Sequence, residues 1–132
     1  MTVRIWGANS VEQCTVGSLL PANAKPYNVE DVASYGPAGG VAFSRVFTAN
    51  EDFYLQTVVG QVNVAAVFTV KVGSTEVAWG RTSTAEPTMK LDYGTGYIKV
   101  PAGETLTVEV VHWGTGVKDF YINIGGGLVT GN

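Results

Sequence analysis

At 132 residues, with 17 glycines, 14% charged residues and a net charge of −3, the chain reads as one compact, turn-rich globular domain spanning 1–132 rather than a disordered segment. Its eight basic residues are scattered through an acidic chain, which excludes nucleic-acid binding through phosphates, since that needs clustered Lys and Arg. No stretch approaches the ~18 apolar residues of a membrane-spanning helix and Met1 to Trp6 lacks the apolar run of a signal peptide, so no membrane partner is expected.

Thr2 to Trp6 predicts a short strand or arm, ended by the turn-forming Gly7 to Ser10. Val11 to Leu20 is strand-like, with a bend at Gly17-Ser18. Three prolines and Gly39-Gly40 mark Pro21 to Gly40 as a long loop of the contact-making kind, with Asn28 and Asp31 capping one helical turn through Ala33. Val41 to Thr48 and Glu51 to Val59 are strands separated by Ala49-Asn50, the first with Val41, Phe43 and Phe47 on one face. Arg45 interrupts that face, so a bulge turns it outward or it meets a partner inside.

Gln61 to Trp79 is the best-specified stretch. Val62, Val64, Ala66, Phe68, Val70 and Val72 hold every even position, which places them on one face of a strand. Gly73-Ser74 suits a type II′ hairpin turn, setting Val72 opposite Thr75, Val70 opposite Val77 and Phe68 opposite Trp79, with Lys71 beside Glu76 on the reverse face. Gly80 to Thr88 reads as an exposed loop, and Met89 to Tyr93 and Tyr97 to Val100 as strands flanking Gly94 to Gly96. Two further hairpins are predicted, around Pro101-Ala102-Gly103, with Ile98 opposite Leu106, and around Gly114 to Gly116, with Val110 opposite Phe120, Val108 opposite Ile122 and Leu106 opposite Ile124. Gly125 to Asn132 reads as a Gly-rich tail.

Short strands punctuated by Gly and Pro, with no long helix, predict an all-β fold: an antiparallel β-sandwich of jelly-roll type. Its expected core is Phe68, Val70, Val77, Trp79, Leu106, Val108, Val110, Phe120 and Ile122.

Little in the sequence asks for catalysis. His112 is the single imidazole and continues the inward row of Leu106, Val108 and Val110, where a hydrogen-bonded structural role outweighs a triad with Asp119. Cys14 and His112 are far apart, the acids lack calcium-loop spacing, and Gly125 to Gly127 precedes no Lys-Ser or Lys-Thr. No catalytic residue, metal or cofactor is therefore expected, and the lone Cys14 forms no disulfide within the chain. Tyr93, Tyr97 and Trp113 flank Gly-rich turns near Asp92 and Asp119. They define an alternative function, a carbohydrate-binding module whose rings stack on sugar faces while the acids take hydroxyls; the structural counterpart is rings covering bare glycine backbone.

The stretch Ile98 to Val110, with its Pro101-Ala102-Gly103 turn running into an alternating strand, and the last strand through Ile124 resemble small jelly-roll virion proteins of tailed phages, the capsid decoration proteins above all. The resemblance covers the C-terminal third. It implies a non-enzymatic structural protein on a shell or tail, a homo-oligomer of trimeric type that engages its own copies or shell subunits through its ends. On that reading the assembly contacts are Val3, Ile5, Trp6, Tyr27, Tyr35, Leu128 and Val129. The protein would sit on the virion if it comes from a phage and in the cytoplasm otherwise.

Overall fold

The computed structural model describes residues 3–5, 16–17, 20–94 and 96–131. Trp6 and Cys14 lie outside the described residues, as does most of the strand expected over 11–20.

Two antiparallel sheets face each other. In the front sheet, β1 (Val3–Ile5), β7 (Thr75–Thr82), β6 (Ala66–Val72), β10 (Thr105–His112) and β4 (Gly40–Val46) lie side by side in that order. The back sheet runs β2 (Val16–Gly17), β9 (Tyr97–Val100), β5 (Glu51–Gln61), β11 (Lys118–Thr130) and β3 (Lys25–Tyr35), with β8 (Thr88–Asp92) also on β5. β8 and β9 dock end to end along β5, around Gln56, as one interrupted strand. The orders β3-β11-β5-β8/β9 and β4-β10-β6-β7 are then those of an eight-stranded jelly roll, to which β1 and β2 add outer strands. Both inner faces supply one core: Phe68, Val70, Val72, Leu106, Val108 and Val110 from the front, and Phe53, Leu55, Val58, Phe120, Ile122 and Ile124 from the back.

The β6–β7 hairpin forms around Gly73, whose φ of 61° is the left-handed value that a type II′ turn needs at its first position. Val72 pairs with Thr75 and Lys71 with Glu76 as expected. A bulge then shifts the register, so Val70 meets Ala78 and Phe68 meets Gly80. The extra residue puts Val77 and Ala78 together into the core and turns Trp79, expected inside, to a half-buried outward position. Val62 and Val64 do not extend β6: the chain crosses between sheets there, and the strand starts at Ala66.

The crossings account for the other departures from expectation. Pro101-Ala102-Gly103 and Gly114 to Gly116 are turns, with φ of 84° at Gly103 and 71° at Gly116. Each leads from one sheet to the other rather than closing a hairpin. Leu106 therefore pairs with Val72 and Arg45 instead of Ile98. Phe120, Ile122 and Ile124 pair with β3 and β5 instead of β10. The residues expected as cross-strand neighbours belong to opposing inner faces, and the His112 and Phe120 rings stand 5.6 Å apart across the core.

The expected loop from Pro21 to Gly40 is mostly the eleven-residue β3. Tyr27, Val29, Ala33 and Tyr35 pack on the core from odd positions while even positions face water. Pro26 is tolerated because β3 is an outermost strand, with no second neighbour requiring its N–H. The expected tail is the second half of β11: Gly125 to Thr130 pair with β5 throughout, and Val129 is 5% exposed. The loop after Gly80 is likewise shorter than expected, since β7 continues to Thr82.

Candidate functional site

The alternation of β10 sends Leu106, Val108, Val110 and His112 into the core and Thr105, Thr107, Glu109 and Val111 outward. Trp113 takes the next outward place, its N–H donating to Ala65 O at 2.9 Å. On the neighbouring β4 a bulge falls between the Val108–Phe43 and Glu109–Val41 pairs. Ala42 and Phe43 are both buried as a result, and Val41, expected inside, turns out. Ser44 and Val46 follow outward opposite Thr107 and Thr105.

The result is an apolar margin on the outer face of the front sheet. Val41 is 45% exposed, Val46 65%, Val111 40% and Trp113 63%, four of the six exposed large hydrophobic side chains among the described residues. The other two are Val32 on β3 and Val117 on the β10–β11 turn. Between the four lie Thr105, Thr107 and Ser44, and the one charge, Glu109, is paired with Lys71 at 3.0 Å. Ala38, Gly40, Val41, Glu109, Val110 and Val111 enclose a hollow of about 260 Å³ beside the β3–β4 turn.

β4 is the outermost strand of its sheet, a position where natural proteins place charges to block further pairing. Its charge does not serve that purpose. Arg45 is half-buried over the rings of Tyr27 and Phe47, at 5.0 and 4.6 Å, and bonds Glu51 at 2.9 Å. The Tyr27 hydroxyl first, and Glu51 after it, raise the Arg45 pKa. Glu51 also accepts the Thr48 N–H at 2.9 Å, and that bond, followed by Arg45, holds its carboxyl below the usual range. Arg45 thus acts as a clip between β4 and β5: the Ala42 bulge turns Val41 outward and not Arg45, which stays on the inward side and meets the partner its position called for.

The expected assembly residues divide. Val3 and Ile5 lie on β1, paired with Gly80 and Ala78 of β7. Tyr27 stands edge-on to Phe53 at 4.9 Å. The Tyr35 hydroxyl donates to Val41 O at 2.7 Å, Leu128 packs against the core, and Val129, the next residue on β11, is buried.

The expected sugar platform is distributed over several places. Tyr97 meets Tyr54 at right angles with centroids 4.9 Å apart, and the Tyr93 N–H bonds Gln56 O, so both sit along the middle of β5. Asp92 accepts the Gly94 N–H at 2.8 Å and pairs with Lys90 at 3.4 Å, contacts that lower its pKa in that order. Trp113 and Asp119 belong to the two limbs of the β10–β11 turn, Trp113 in the front sheet and Asp119 in the back sheet, where it accepts the Ser34 hydroxyl at 2.6 Å.

His112 is 1% exposed and both its nitrogens are engaged: Nε2–H donates to Tyr35 O at 3.0 Å and Nδ1 accepts the Gly114 N–H at 3.1 Å. A ring committed in this way ties β10 to β3 and the β10–β11 turn. Among the described residues no three His, Cys, Asp or Glu side chains stand close enough to hold a metal ion, and no helix is long and apolar enough to cross a membrane.

Sequence reasoning placed Val41 inside because the Ala42 bulge, which turns it outward, has no local signal; Val46 keeps the parity opposite to Phe43 and Phe47. The available signal was on β10, where Val111 sits in a row otherwise made of Thr and Glu.

No family model and no curated protein matches the chain. Among solved structures, a chain of the acidic stable capsid of Helicobacter pylori bacteriophage KHP30 is similar at 7% identity and a TM-score of 0.46, over 83% of this chain and 98% of that one. The insecticidal delta-endotoxin Cry8Ea1 of Bacillus thuringiensis is similar at 17% identity and a TM-score of 0.45 over 77% of this chain, which spans 20% of the endotoxin's length. A chain of the disulfide-linked pili that form Bacillus endospore appendages is similar at 14% identity and a TM-score of 0.38, over 86% of this chain and 96% of that one. At these identities and TM-scores the likenesses carry no argument about activity or partner.

Proposed function

We propose that this chain is a non-enzymatic structural protein that packs against neighbouring protein subunits, copies of itself first, at a virion surface of the kind its Ile98 to Val110 stretch resembles. The observation that carries this reading is the apolar margin. Val41, Val46, Val111 and Trp113 gather along two adjacent strands at the border of one sheet. Grouped exposed apolar side chains mark interaction surfaces, whereas isolated ones need no explanation. The chemistry around them fits the same reading, because hydroxyls and one internally paired Glu109 can be buried in a contact without stranding a charge.

Val46→Asp tests it. The side chain is 65% exposed, so the isolated fold should tolerate the change, while an assembly that buries it should not. Sedimentation velocity over a concentration series is expected to show oligomers for the native chain and a shift toward monomer for Val46→Asp, with unchanged circular dichroism. A native chain that stays monomeric at every concentration would overturn the reading.

A further inference from the structure

The structure assigns a second surface to a different partner: we propose that the groove between the end of β5 and the start of β11 binds a neutral saccharide. The register sets Tyr121 beside Gln61. Together with Val62, Asn63, Val117, Lys118 and Asp119 they enclose an open groove of about 430 Å³, within the ~300–1,000 Å³ of small-ligand sites.

Its chemistry selects the ligand class. Gln61 and Asn63 present side-chain amides, each able to donate and accept at once, which is what neighbouring sugar hydroxyls require. One oxygen of Asp119 is fixed by the Ser34 hydroxyl at 2.6 Å, which sets the carboxylate's orientation and leaves its other oxygen for a ligand hydroxyl. Lys118 and Asp119 both line the groove, so it carries no formal net charge to attract a polyanion or a polycation. Tyr121 supplies an aromatic wall. Glu30, the first cause of its raised pKa, lies on the neighbouring strand β3, and the ring can meet the C–H face of a sugar. The apolar contribution, Val62 and Val117, is small beside five polar side chains, which disfavours a hydrophobic ligand. This groove shares Asp119 with the dispersed platform expected from sequence, but neither Tyr93, Tyr97 nor Trp113 lines it.

The test uses the intact protein, labelled and applied to an array of neutral oligosaccharides, with the best-bound glycan then titrated by calorimetry. Asp119→Asn keeps the shape and the Ser34 contact while removing the charged acceptor, and is expected to weaken binding about tenfold. Asn63→Ala, at an exposed loop position, should weaken it comparably, whereas Trp113→Ala and Val46→Asp should leave it unchanged. A blank array, binding indifferent to both groove substitutions, or a preference for sulfated or sialylated glycans would overturn the proposal. Because Val46→Asp and Asp119→Asn report on opposite sheets, loss of assembly and loss of glycan binding are read separately.

Discussion

The two outer faces of the sandwich are built on one core and differ in almost everything else. The front-sheet face presents Val41, Val46, Val111 and Trp113 among hydroxyl side chains, its Glu109 neutralised by Lys71. The back-sheet face carries hydrogen-bonding side chains paired across its outer strands, Glu30 beside Asn123 and Ser34 beside Asp119. Cross-links within it include Asn123 to Glu30 at 3.3 Å and Ser34 to Asp119 at 2.6 Å. Inward residues are alike in both sheets because one dry core constrains them equally. Outward residues are free of that constraint, so their composition can differ between the faces, and that difference underlies the two surfaces proposed above: subunit packing on the front, a hydroxylic ligand on the back.

The scaffold shared by both faces gives the largest expected effect. At Gly126, where the β11–β5 register shifts, an added Cβ would collide with the backbone carbonyl of Tyr54, which cannot rotate away. Gly126→Val should cost about 3 kcal/mol or more, seen as a large fall in the urea midpoint. Gly125→Ala is the contrast within the same strand. Its Cβ would meet the Thr57 hydroxyl at 2.6 Å, a side chain that can turn aside, so the loss should stay near 1 kcal/mol. Equal losses at the two positions would show that the close approach of backbones is not what fixes this strand.

His112 ties the two faces together from inside. His112→Ala strands Tyr35 O and the Gly114 N–H, and opens a hole beside Phe120. A loss of about 2 kcal/mol is expected in chemical denaturation, together with faster amide exchange at Gly114. Unaltered exchange there would mean that the imidazole does not hold the turn.

The corner clip gives a smaller effect that depends on pH. Glu51 is held below its ordinary value of 4.5 by the Thr48 N–H and then by Arg45. A carboxyl depressed on folding stabilises the fold above its unfolded pKa, and that contribution disappears as pH falls through the lower folded value. Thermal melts of Glu51→Gln should therefore lie below those of the native chain at pH 7, and the gap should close below about pH 4.5. A gap that persists undiminished at pH 2 would show that charge is not the source.

How much of this could be read from the chain depends on what each element answers to. The β6–β7 hairpin was legible because turn chemistry at Gly73-Ser74 and alternation from Ala66 to Val72 are local. The class, an antiparallel sandwich, followed from repeating such units. β3 was concealed because an outermost strand with one face in water tolerates Pro26 and tolerates Glu30, Asp31 and Val32 in succession, so it lacks a strand's usual signature. The Pro101 to Gly103 and Gly114 to Gly116 turns were correctly seen as turns, yet nothing local states whether a turn stays within a sheet or crosses to the other. That choice is made by the core, where Phe120 and Ile122 gain more from facing β6 and β10 than from pairing beside them. Single-residue bulges at Ala42 and Val77 moved Val41 and Trp79 to the outer face, and each depends on the register of a partner strand. Of the apolar margin, Val111 and Val46 therefore hold the positions that alternation gives them, and Val41 was moved there by a bulge.

The last comparison isolates the faces from stability altogether. Val111 and Val32 are both exposed valines on strands, at 40% and 61%, the first on the front-sheet margin and the second on the back sheet beside Tyr121. Substituting either with Asp removes little buried area and creates no buried charge, so each should shift stability by no more than ~0.5 kcal/mol. Their effects on association should differ. At the margin a new carboxylate would have to be desolvated whenever subunits pack over Val41 and Trp113, whereas beside Tyr121 it joins a face already rich in acceptors and stays in water. Light scattering is expected to show Val111→Asp shifted toward monomer and Val32→Asp indistinguishable from the native chain. If Val32→Asp dissociates the protein and Val111→Asp does not, the faces have been assigned the wrong way round, and the polar ladders of the back sheet become the subunit contact.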